Sequence, residues 1–278
     1  CTALAACGGA AATGPFPDRF DARRAFADLR AQVALGPRPA GSEASRRLAG
    51  RLRAQLPRGR FEAVPGGLRN VVGVAPGRGR PILVGAHYDT KDIPGFVGAN
   101  DGAGGVATVL ELSRALRHGR RACEREIRFV MFDGEESPAG SPDAAFLRDG
   151  LRGSRAYAAA HADELAAVVI VDFVADKDLA IRREAGSSAS LWRLLRDSAR
   201  RVGKIDAFPT GTEGRILDDH TPFTDRGVPA IDLIDFDYPP FHTPEDTLDK
   251  VSARSLDAAG ESLVEMLRRM AARTCRPR

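Results

Sequence analysis

PILVGAHYDTK (residues 81–91), continued by FVGANDGAGGVA (residues 96–107), is the stretch that decides the fold. Residues 81–84 form a short apolar run of the kind that a strand covered on both faces shows. His87 and Asp89 stand two residues apart near its end, so an extended chain points them to the same side. An imidazole beside a carboxylate at a strand end is typical of a metal ligand whose tautomer the carboxylate fixes.

Asp101 follows this strand after a loop, at the start of an amphipathic helix predicted over residues 102–117. Three glycines near that start are poor helix formers, and they indicate that the backbone closely approaches a site there. A carboxylate at a helix N-terminus is also favoured as a cap, so Asp101 is either a ligand or an N-cap. In the same way, His87 is either a ligand or a hydrogen-bonded core histidine.

Strand and helix patterns alternate along the whole chain, which predicts an α/β layered fold. Residues 76–80 contain proline and glycine, and we interpret them as a hairpin turn into the strand that ends at His87. Ser42 or Ser45 is expected to cap the second helix, and Ser252 the last one. The predicted strands are 70–74, 81–87, 126–133, 166–176 and one after 227. The predicted helices are two between residues 20 and 56, and others at 102–117, at 153–161, at 189–202 and after 252.

The composition is that of an ordinary soluble globular protein. The 278 residues, 43% hydrophobic and 28% charged, are enough for a sizeable core, and no apolar run is long enough to span a bilayer. The net charge of +4 and the pI near 9.1 raise the question of nucleic-acid binding. Only four of the 41 basic residues are lysines, however, and the arginines are spread along the chain. Because a nucleic-acid-binding protein concentrates positive charge on one face, we expect no nucleic-acid partner.

The cysteines are Cys1, Cys7, Cys123 and Cys275, and none belongs to a C-x-x-C pair. Their spacing therefore indicates neither a thiolate zinc site nor a thioredoxin-like redox site. Cys123 and Cys275 are free to form a disulfide if the compartment is oxidising, although the sequence does not show that they meet.

Residues 1–16 are small and alanine-rich, and we expect a flexible tether there, ahead of one catalytic domain over residues 17–278. LAAC (residues 4–7) resembles a bacterial lipobox, so Cys7 is one candidate for lipidation; Cys1, as the first residue of a processed chain, is the other. A lipoprotein is exported and held at a membrane by its lipid, here in the periplasm or at the cell surface. The alternative is a disordered tail whose cysteines have no role.

Polar side chains that suit a metal follow the predicted strands one after another. They are His87, Asp101, Glu135, Glu136, Asp172 and His242. In an open α/β sheet, ligands bind where the carboxyl ends of the strands meet, so we expect these side chains to lie together. Two imidazoles with carboxylates suit zinc with a position open for substrate. Asp172 is the most informative, because a lone carboxylate in an apolar strand costs several kcal/mol unless it is paired or binds a metal.

Glu135 and Glu136 are adjacent, so we expect one to bind the metal and the other to act as a general acid or base. The alternative for the whole set is a scatter of surface acids and capping residues, which six residues at successive strand ends make improbable. Further acids after the last strand, Asp232, Asp235 and Asp237, are expected at a solvated rim.

The motifs around these residues resemble the zinc aminopeptidase family that also contains the animal-type glutaminyl-peptide cyclotransferases. The matching segments are GAHYDT, FVGANDGAGG, FDGEE, GSRAYA, VDFVADKD, DDHTPF and FHTPEDTLDKV, in the family's order between about residues 70 and 260. The motif GEE alone is weak evidence for the family, but the ordered set of motifs covers most of the chain. The resemblance implies a three-layer α/β/α sandwich with a central mixed, mostly parallel sheet.

The same resemblance implies one or two zinc ions and a role for each residue. The implied metal ligands are His87, Asp101, Glu136, Asp172 and His242, and the implied catalytic residues are Glu135, Asp89 and Asp218. In the aminopeptidases Asp101 would bridge two zinc ions, and Asp89 would orient His87. A cis peptide between Asp101 and Gly102 is also implied.

In the cyclotransferases a single zinc ion would be held by Asp101, Glu136 and His242. There, the remaining acids of the site would form a hydrogen-bonded network. Those acids are Glu135, Asp172 and Asp218.

Two chemistries at a peptide N-terminus suit these ligands. A hydrolase lowers the pKa of a zinc-bound water and uses Glu135 to take its proton. A cyclotransferase polarises the side-chain amide of an N-terminal glutamine, which the α-amine attacks, and Glu135 carries a proton to the departing ammonia. DDHTPF and the run GVPAIDLIDFDYPPFHT into His242 resemble the cyclotransferase branch, so we expect that activity, with the aminopeptidase as the alternative.

Phe241 stands where animal cyclotransferases have a tryptophan before the ligand histidine, and a second tryptophan after GEE is missing. We place Phe241 and His220 in the substrate pocket, although His220 is equally placed to cap a helix. A non-catalytic binding module is a third interpretation, disfavoured because every expected ligand is present. We expect a monomer whose partners are peptide or protein N-termini.

Overall fold

Six strands form one sheet in the computed structural model, which describes residues 18–117 and 119–275. The strands are β1 (Arg60–Val64), β2 (Leu68–Ala75), β3 (Ile82–His87), β4 (Ile127–Phe132), β5 (Ala167–Val171) and β6 (Ala230–Leu233). Their order across the sheet is β1-β2-β4-β3-β5-β6. β4, β3, β5 and β6 are parallel, whereas β1 and β2 form an antiparallel pair at one edge.

Helices cover both faces of this sheet. They are α1 (Ala22–Val33), α2 (Glu43–Gln55), α3 (Ala103–Ala115), α4 (Phe146–Asp149), α5 (Arg152–His161), α6 (Ala189–Arg201), α7 (Thr221–Thr224) and α8 (Ala253–Ala272). α1, α2, α3, α6 and α8 contribute to the larger core, and α5 and α7 to the smaller core on the other face. The expected three-layer sandwich with a mixed, mostly parallel sheet is confirmed.

β3 lies in the middle of the sheet because its side chains can be buried on both faces. All of its residues are buried. Leu83 packs with Val72 and Val130 in the smaller core, and the next residue, Val84, packs in the larger core. This placement puts the carboxyl end of β3, with His87, between the ends of β4 and β5.

The predicted hairpin at residues 76–80 was wrong, because β2 pairs with β1 and β4 and not with β3. The hairpin lies one strand earlier, where Gly66 and Gly67 both have positive φ between β1 and β2. The Pro65–Gly66–Gly67 signal was present in the sequence. β1 itself was missed because it is an edge strand that is mostly exposed, so its side chains lack a buried alternating pattern.

The start of α3 also differs from expectation. The N-cap position belongs to Gly102 at φ +85°, and no side chain caps this helix, so Asp101 is not an N-cap. The Asp101–Gly102 peptide is trans, and the expected cis bond was therefore wrong. The turn is made instead by a backbone conformation that glycine adopts without steric cost. The predicted caps Ser42 and Ser252 are confirmed, whereas Ser45 donates its backbone N–H to Ser42.

Cys123 and Cys275 form a disulfide that fastens the end of the C-terminal segment to the loop before β4. The two candidate lipidation sites, Cys1 and Cys7, lie outside the described residues. Across residues 18–117 and 119–275, no helix is both long and apolar enough to cross a membrane.

Glycine is required at position 105 because α3 crosses the end of β5 there. A Cβ atom on Gly105 would lie 2.1 Å from the carbonyl oxygen of Val171. We predict that Gly105→Ala lowers the free energy of unfolding by about 2 kcal/mol, through backbone displacement in a packed core. Urea unfolding measures this change.

The matched control is Gly50→Ala, in the exposed middle of α2, where a new Cβ meets nothing within 4 Å. This substitution should stabilise the protein by roughly 0.5–1 kcal/mol, since alanine is the better helix former. Equal effects of the two substitutions would contradict the packing argument.

Candidate active site

The six predicted metal-site and acid/base residues come together at the carboxyl edge of the parallel strands. His87 ends β3, Asp172 directly follows β5, and Asp101 precedes α3. The pair Glu135 and Glu136 lies just beyond β4, and His242 lies in the loop after β6. Asp172 is thus not inside its strand, as the apolar run suggested, but in the first position after it.

Two groups of ligand atoms share Asp101. In the first, His87 Nε2 lies 3.2 Å from Asp101 Oδ1 and 3.5 Å from Asp172 Oδ1. In the second, His242 Nε2 lies 3.5 Å from Asp101 Oδ2 and 3.1 Å from Glu136 Oε1. Within each group, one ligand atom per residue lies within 4.8 Å of the others. Each group is therefore small enough to hold one metal ion, with Asp101 common to both.

Two observations on the buried groups test whether a cation suits this place. Asp101 Oδ2 is buried without a hydrogen-bond partner. Burial favours the neutral form of His87, but its contacts with Asp101, Asp172 and Asp89 outweigh burial and raise the pKa of the imidazole. The site thus attracts positive charge strongly. Nitrogen and carboxylate oxygen are ligands that zinc accepts, so the donor set fits a zinc ion.

The two adjacent glutamates have opposite electrostatic environments. Burial and the neighbouring Glu136 carboxylate raise the pKa of Glu135 well above its usual value. Burial acts on Glu136 in the same direction, but His242 and Lys91 outweigh it and lower the pKa of Glu136. Neighbouring titratable groups whose pKa values are pushed apart are typical of an acid/base residue beside a fixed anion. The environments thus support the predicted division, with Glu136 as ligand and Glu135 as proton carrier.

Asp89 acts mainly on the turn that carries these glutamates. Its Oδ1 accepts the backbone N–H groups of Gly134 and Glu135 at 2.9 and 3.2 Å, and its Oδ2 accepts that of Glu136 at 3.2 Å. The ring of His87 is oriented by the Asp89 backbone carbonyl, 3.1 Å from Nδ1, while the Asp89 carboxylate is 3.8 Å away. Asp89 therefore contacts His87 through its backbone carbonyl and not through the predicted carboxylate, which instead holds the Gly134–Glu136 turn.

Asp246 does the same for the loop before α3. Its carboxylate accepts the backbone N–H groups of Asn100 and Asp101 at 2.9 and 3.0 Å and the hydroxyl of Tyr238 at 2.7 Å. This role of Asp246 was not predicted, although the residue stands inside the HTPED segment. Nothing in that segment shows which distant backbone its carboxylate meets.

Arg38 and Lys91 were also missed. Arg38 is fully buried, and its guanidinium donates to the carbonyls of Gly36 and Val97 at 3.0 and 2.8 Å, so it holds the loop that leads to Asp101. Lys91 Nζ lies 3.2 Å from Glu136 Oε2, inside the site. Both residues belong to stretches that looked like ordinary loops in the sequence.

His242 is held in an uncommon conformation. Its φ is +53°, in the left-handed region that costs a residue with a Cβ energy, and such positions are concentrated at functional sites. The ring of Phe241 stacks on the imidazole, with centroids 3.8 Å apart and planes inclined by 21°. Phe236 and Phe173 lie beyond it, 4.8 and 5.7 Å from the Phe241 ring. An aromatic wall therefore fixes the ligand histidine.

A cavity of about 370 Å³ opens onto these groups. Its lining combines the carboxyl groups of Asp101, Glu135, Asp172 and Asp218 with Phe241 and other apolar side chains. Phe241 therefore lies in the pocket, as predicted. Among the described residues no hydrogen bond joins Glu135, Asp172 and Asp218, so the expected acid network is present only as a set of neighbouring carboxyl groups. Burial above all raises the pKa of each, that of Asp172 to about 7.

His220 was wrongly placed in the pocket. It is buried behind the cavity wall and contacts Glu184 and Asp232 instead of the cavity. Asp232 and Asp235 are likewise buried and do not lie at a solvated rim, whereas Asp237 is exposed. The error has a physical cause: a charged residue beside an apolar strand is usually solvated, and only partners from other segments can bury it.

Comparison with known proteins finds a matching family and several similar proteins. The profile of peptidase family M28 matches residues 70–267. Aminopeptidase YwaD of Bacillus subtilis is 29% identical over 195 residues, 65% of this chain and 39% of that protein. A glutaminyl-peptide cyclotransferase-like protein of Mus musculus is 30% identical over 202 residues, 62% of this chain and 52% of that protein. The chain thus spans about half the length, or less, of these two curated relatives.

Among solved structures, the glutaminyl cyclase of an Acidobacteriales bacterium superposes with a TM-score of 0.80 at 31% identity. The match covers 96% of this chain and 100% of that one. The likeness therefore extends over the whole fold and not only over the site.

Asp89 offers a direct test of the site. We predict that Asp89→Asn weakens zinc binding by about 10- to 100-fold, the usual effect of losing a group that holds a ligand in place. Depending on which way the amide lies, one or two of the three backbone N–H groups lose their acceptor, so the turn bearing Glu136 shifts. Titration of the metal-free protein with zinc against a chromophoric chelator measures the affinity.

Asp92→Asn is the matched control, since Asp92 is exposed and lies three residues further on. Its zinc affinity should equal that of the unchanged protein. An equally unchanged affinity for Asp89→Asn would contradict the holding role of Asp89.

Proposed function

The chain belongs to peptidase family M28, and on that premise we propose that it is a zinc enzyme acting on the free N-terminus of peptides. The reaction that the site favours is that of a glutaminyl-peptide cyclotransferase, which converts an N-terminal glutamine to pyroglutamate and releases ammonia. Because the chain spans about half of its curated relatives, the activity is inferred from the site and not transferred from them.

The observation that carries this proposal is the group of buried acids that face one cavity. Glu135, Asp172 and Asp218 all have raised pKa values and line the same space as the metal-binding residues. Cyclisation needs protons moved between two nitrogens of the same substrate, without a water nucleophile, and a carboxyl group whose pKa is raised is suited both to accept a proton and to return it. The overall similarity to a bacterial glutaminyl cyclase at 31% identity is in agreement.

The residues present suggest how the reaction would proceed. A zinc ion held by Asp101, Glu136 and His242 would polarise the side-chain carbonyl of the glutamine. Glu135 accepts a proton from the α-amine as its nitrogen attacks the side-chain carbon. Glu135 then donates this proton to the leaving nitrogen, so that ammonia departs and one C–N bond replaces another. Phe241 and the aromatic side chains behind it keep water away from the reacting atoms.

A di-zinc aminopeptidase is the second candidate, and one feature favours it. His87, Asp101 and Asp172 are gathered into a second group able to hold a metal. With both groups filled, Asp101 would bridge the ions and Glu135 would take a proton from the attacking water. The similarity to an aminopeptidase over 65% of this chain agrees with this alternative.

We also propose that the protein is exported. The disulfide between Cys123 and Cys275 supports an oxidising compartment, because such bonds rarely persist in a reducing cytosol. Lipidation at Cys7 or Cys1, a tether over 1–16 and a single monomeric catalytic domain over 17–278 complete this proposal. Its substrates would be peptide or protein N-termini.

Two peptides decide between the activities. One carries an N-terminal glutamine and the other an N-terminal leucine, and each is incubated with the zinc-loaded protein. We predict loss of ammonia from the first, detected by mass spectrometry, and no change in the second. Release of free leucine would instead establish the aminopeptidase. If neither peptide changed, the fold would serve as a binding module and the proposed enzyme would be wrong.

Glu135→Gln tests the proton carrier. The amide has the same shape but cannot accept the proton, so we predict a fall in kcat of about 10²- to 10⁴-fold with the zinc content unchanged. Elemental analysis of the purified variant gives the zinc content. Glu43→Gln, an exposed residue on α2, is the control and should keep full activity. Full activity of Glu135→Gln would rule out this role.

A further inference from the structure

A buried histidine outside the reacting groups lies between two buried carboxylates. His220 Nε2 is 3.3 Å from Glu184 Oε2, and His220 Nδ1 is 3.4 Å from Asp232 Oδ2. The three residues are at most 1% exposed. Glu184 lies between β5 and α6, His220 directly before α7, and Asp232 in β6. The mechanism proposed above uses none of them, yet each would be costly to bury alone.

The charges of this group are complementary. Burial disfavours the charged imidazole, but the contacts with Asp232 and Glu184 outweigh burial and raise the pKa of His220 to about 10. Burial likewise disfavours the Glu184 anion, but His220 and the backbone N–H of Gly186 outweigh it and lower the pKa of Glu184 to about 2. A charged imidazole therefore lies beside the Glu184 carboxylate at neutral pH, and its contact with Asp232 opposes the burial that raises the pKa of Asp232.

Glu184 also reaches the wall of the cavity. Its Oε1 accepts the backbone N–H of Ile216 at 3.2 Å and that of Gly186 at 2.7 Å. Ile216 opens the segment ILDD (residues 216–219), whose Ile216, Leu217 and Asp218 line the cavity. Glu184 thus holds one end of that segment directly, and through His220 it holds the other end, two residues after Asp218.

Asp232 completes the connection to the sheet. It belongs to β6, where it pairs with Ile170 of β5, and its backbone N–H donates to Ser187 Oγ at 3.0 Å. The position of Asp232 is therefore set by the sheet, and that of His220 is set by Asp232. In addition to the hydrogen bonds between Asp218 and Thr221, the chain after Asp218 is thus connected through His220 to the strand ends that carry the candidate metal ligands.

We propose that His220, held between Glu184 and Asp232, is a positioning residue that fixes the 216–219 segment and thereby sets the place of Asp218 in the active-site cavity. The inference rests on the proposed function only in its kinetic consequence, because the positioning itself is a property of the fold. A bound metal ion is the alternative explanation for this group, since Asp218, His220 and Asp232 also have the spacing of a metal site. The imidazole between two carboxylates instead supplies the positive charge itself.

The experiment compares His220→Gln with His161→Gln. His161 is a matched control because it also contacts two carboxylates, Glu62 and Glu164, but lies at the protein surface on α5. For His220→Gln we expect kcat to fall about 10- to 100-fold, with KM changed by less than about threefold, since transition-state and not ground-state contacts are lost. His161→Gln should match the unchanged enzyme. The substrate is whichever of the two peptides the unchanged enzyme converts.

Hydrogen exchange tests the positioning without any substrate. We expect the amides of residues 214–219 to exchange faster in His220→Gln than in His161→Gln, with exchange in β3 and β4 unchanged. If the unchanged protein converted neither peptide, the proposed function would fail, and this measurement alone would decide the present inference. Equal exchange of residues 214–219 in both variants would overturn it.

Glu184→Gln is a second variant, which tests the same proposal if His220→Gln does not fold. The amide keeps the acceptor for the Ile216 and Gly186 N–H groups and replaces the charged oxygen that faces His220 Nε2 with an NH2 donor. We expect a smaller loss of kcat than with His220→Gln and a correspondingly smaller rise in exchange. Full activity in both variants would overturn the proposal. Loss of a metal equivalent from His220→Gln in elemental analysis would also overturn it, in favour of a metal site.

Discussion

The structure depends on compensating the negative charge that is buried at one edge of its sheet. Eight carboxylates are largely buried there: Asp89, Asp101, Glu135, Glu136, Asp172, Asp218, Asp219 and Asp246. A buried carboxylate without a partner is costly, and several together repel one another. Backbone N–H groups, cationic side chains and protonation of carboxyl groups compensate this negative charge. Some negative charge remains uncompensated, including that of the Asp101 oxygen, which has no hydrogen-bond partner among the described residues. This charge makes the site attract a metal cation.

Each kind of compensation gives its carboxylates a different task. Asp89 and Asp246 accept backbone N–H groups, and they hold two loops that carry the candidate metal ligands Glu136 and Asp101. Glu136 is stabilised as an anion by His242 and Lys91, which suits a ligand. Burial and the Glu136 carboxylate outweigh the influence of His87 and raise the pKa of Glu135, which suits a proton carrier. The acid/base assignment thus follows from differences in environment, because the side-chain chemistry is the same.

Much of this could be predicted from the sequence because it is local. The alternation of apolar strands and amphipathic helices specifies an α/β sandwich, and polar residues that follow buried strands must meet at one edge when the strands are parallel. Asp101, Glu136 and His242 could be found in this way. The resemblance of the motifs added the division of roles between Glu135 and Glu136. Asp246, by contrast, left no local signal of the backbone it holds.

The sequence by itself determined most of the helices and strands, the candidate ligand types and the family, since these depend on periodicity and on the order of short motifs. Only the tertiary structure decided that β2 pairs with β4, because the neighbours of a strand depend on how all the strands assemble and not on any one segment. It also decided that His220 lies behind the cavity wall between Glu184 and Asp232. A buried charge needs partners from distant segments, and a linear sequence does not show which segments meet.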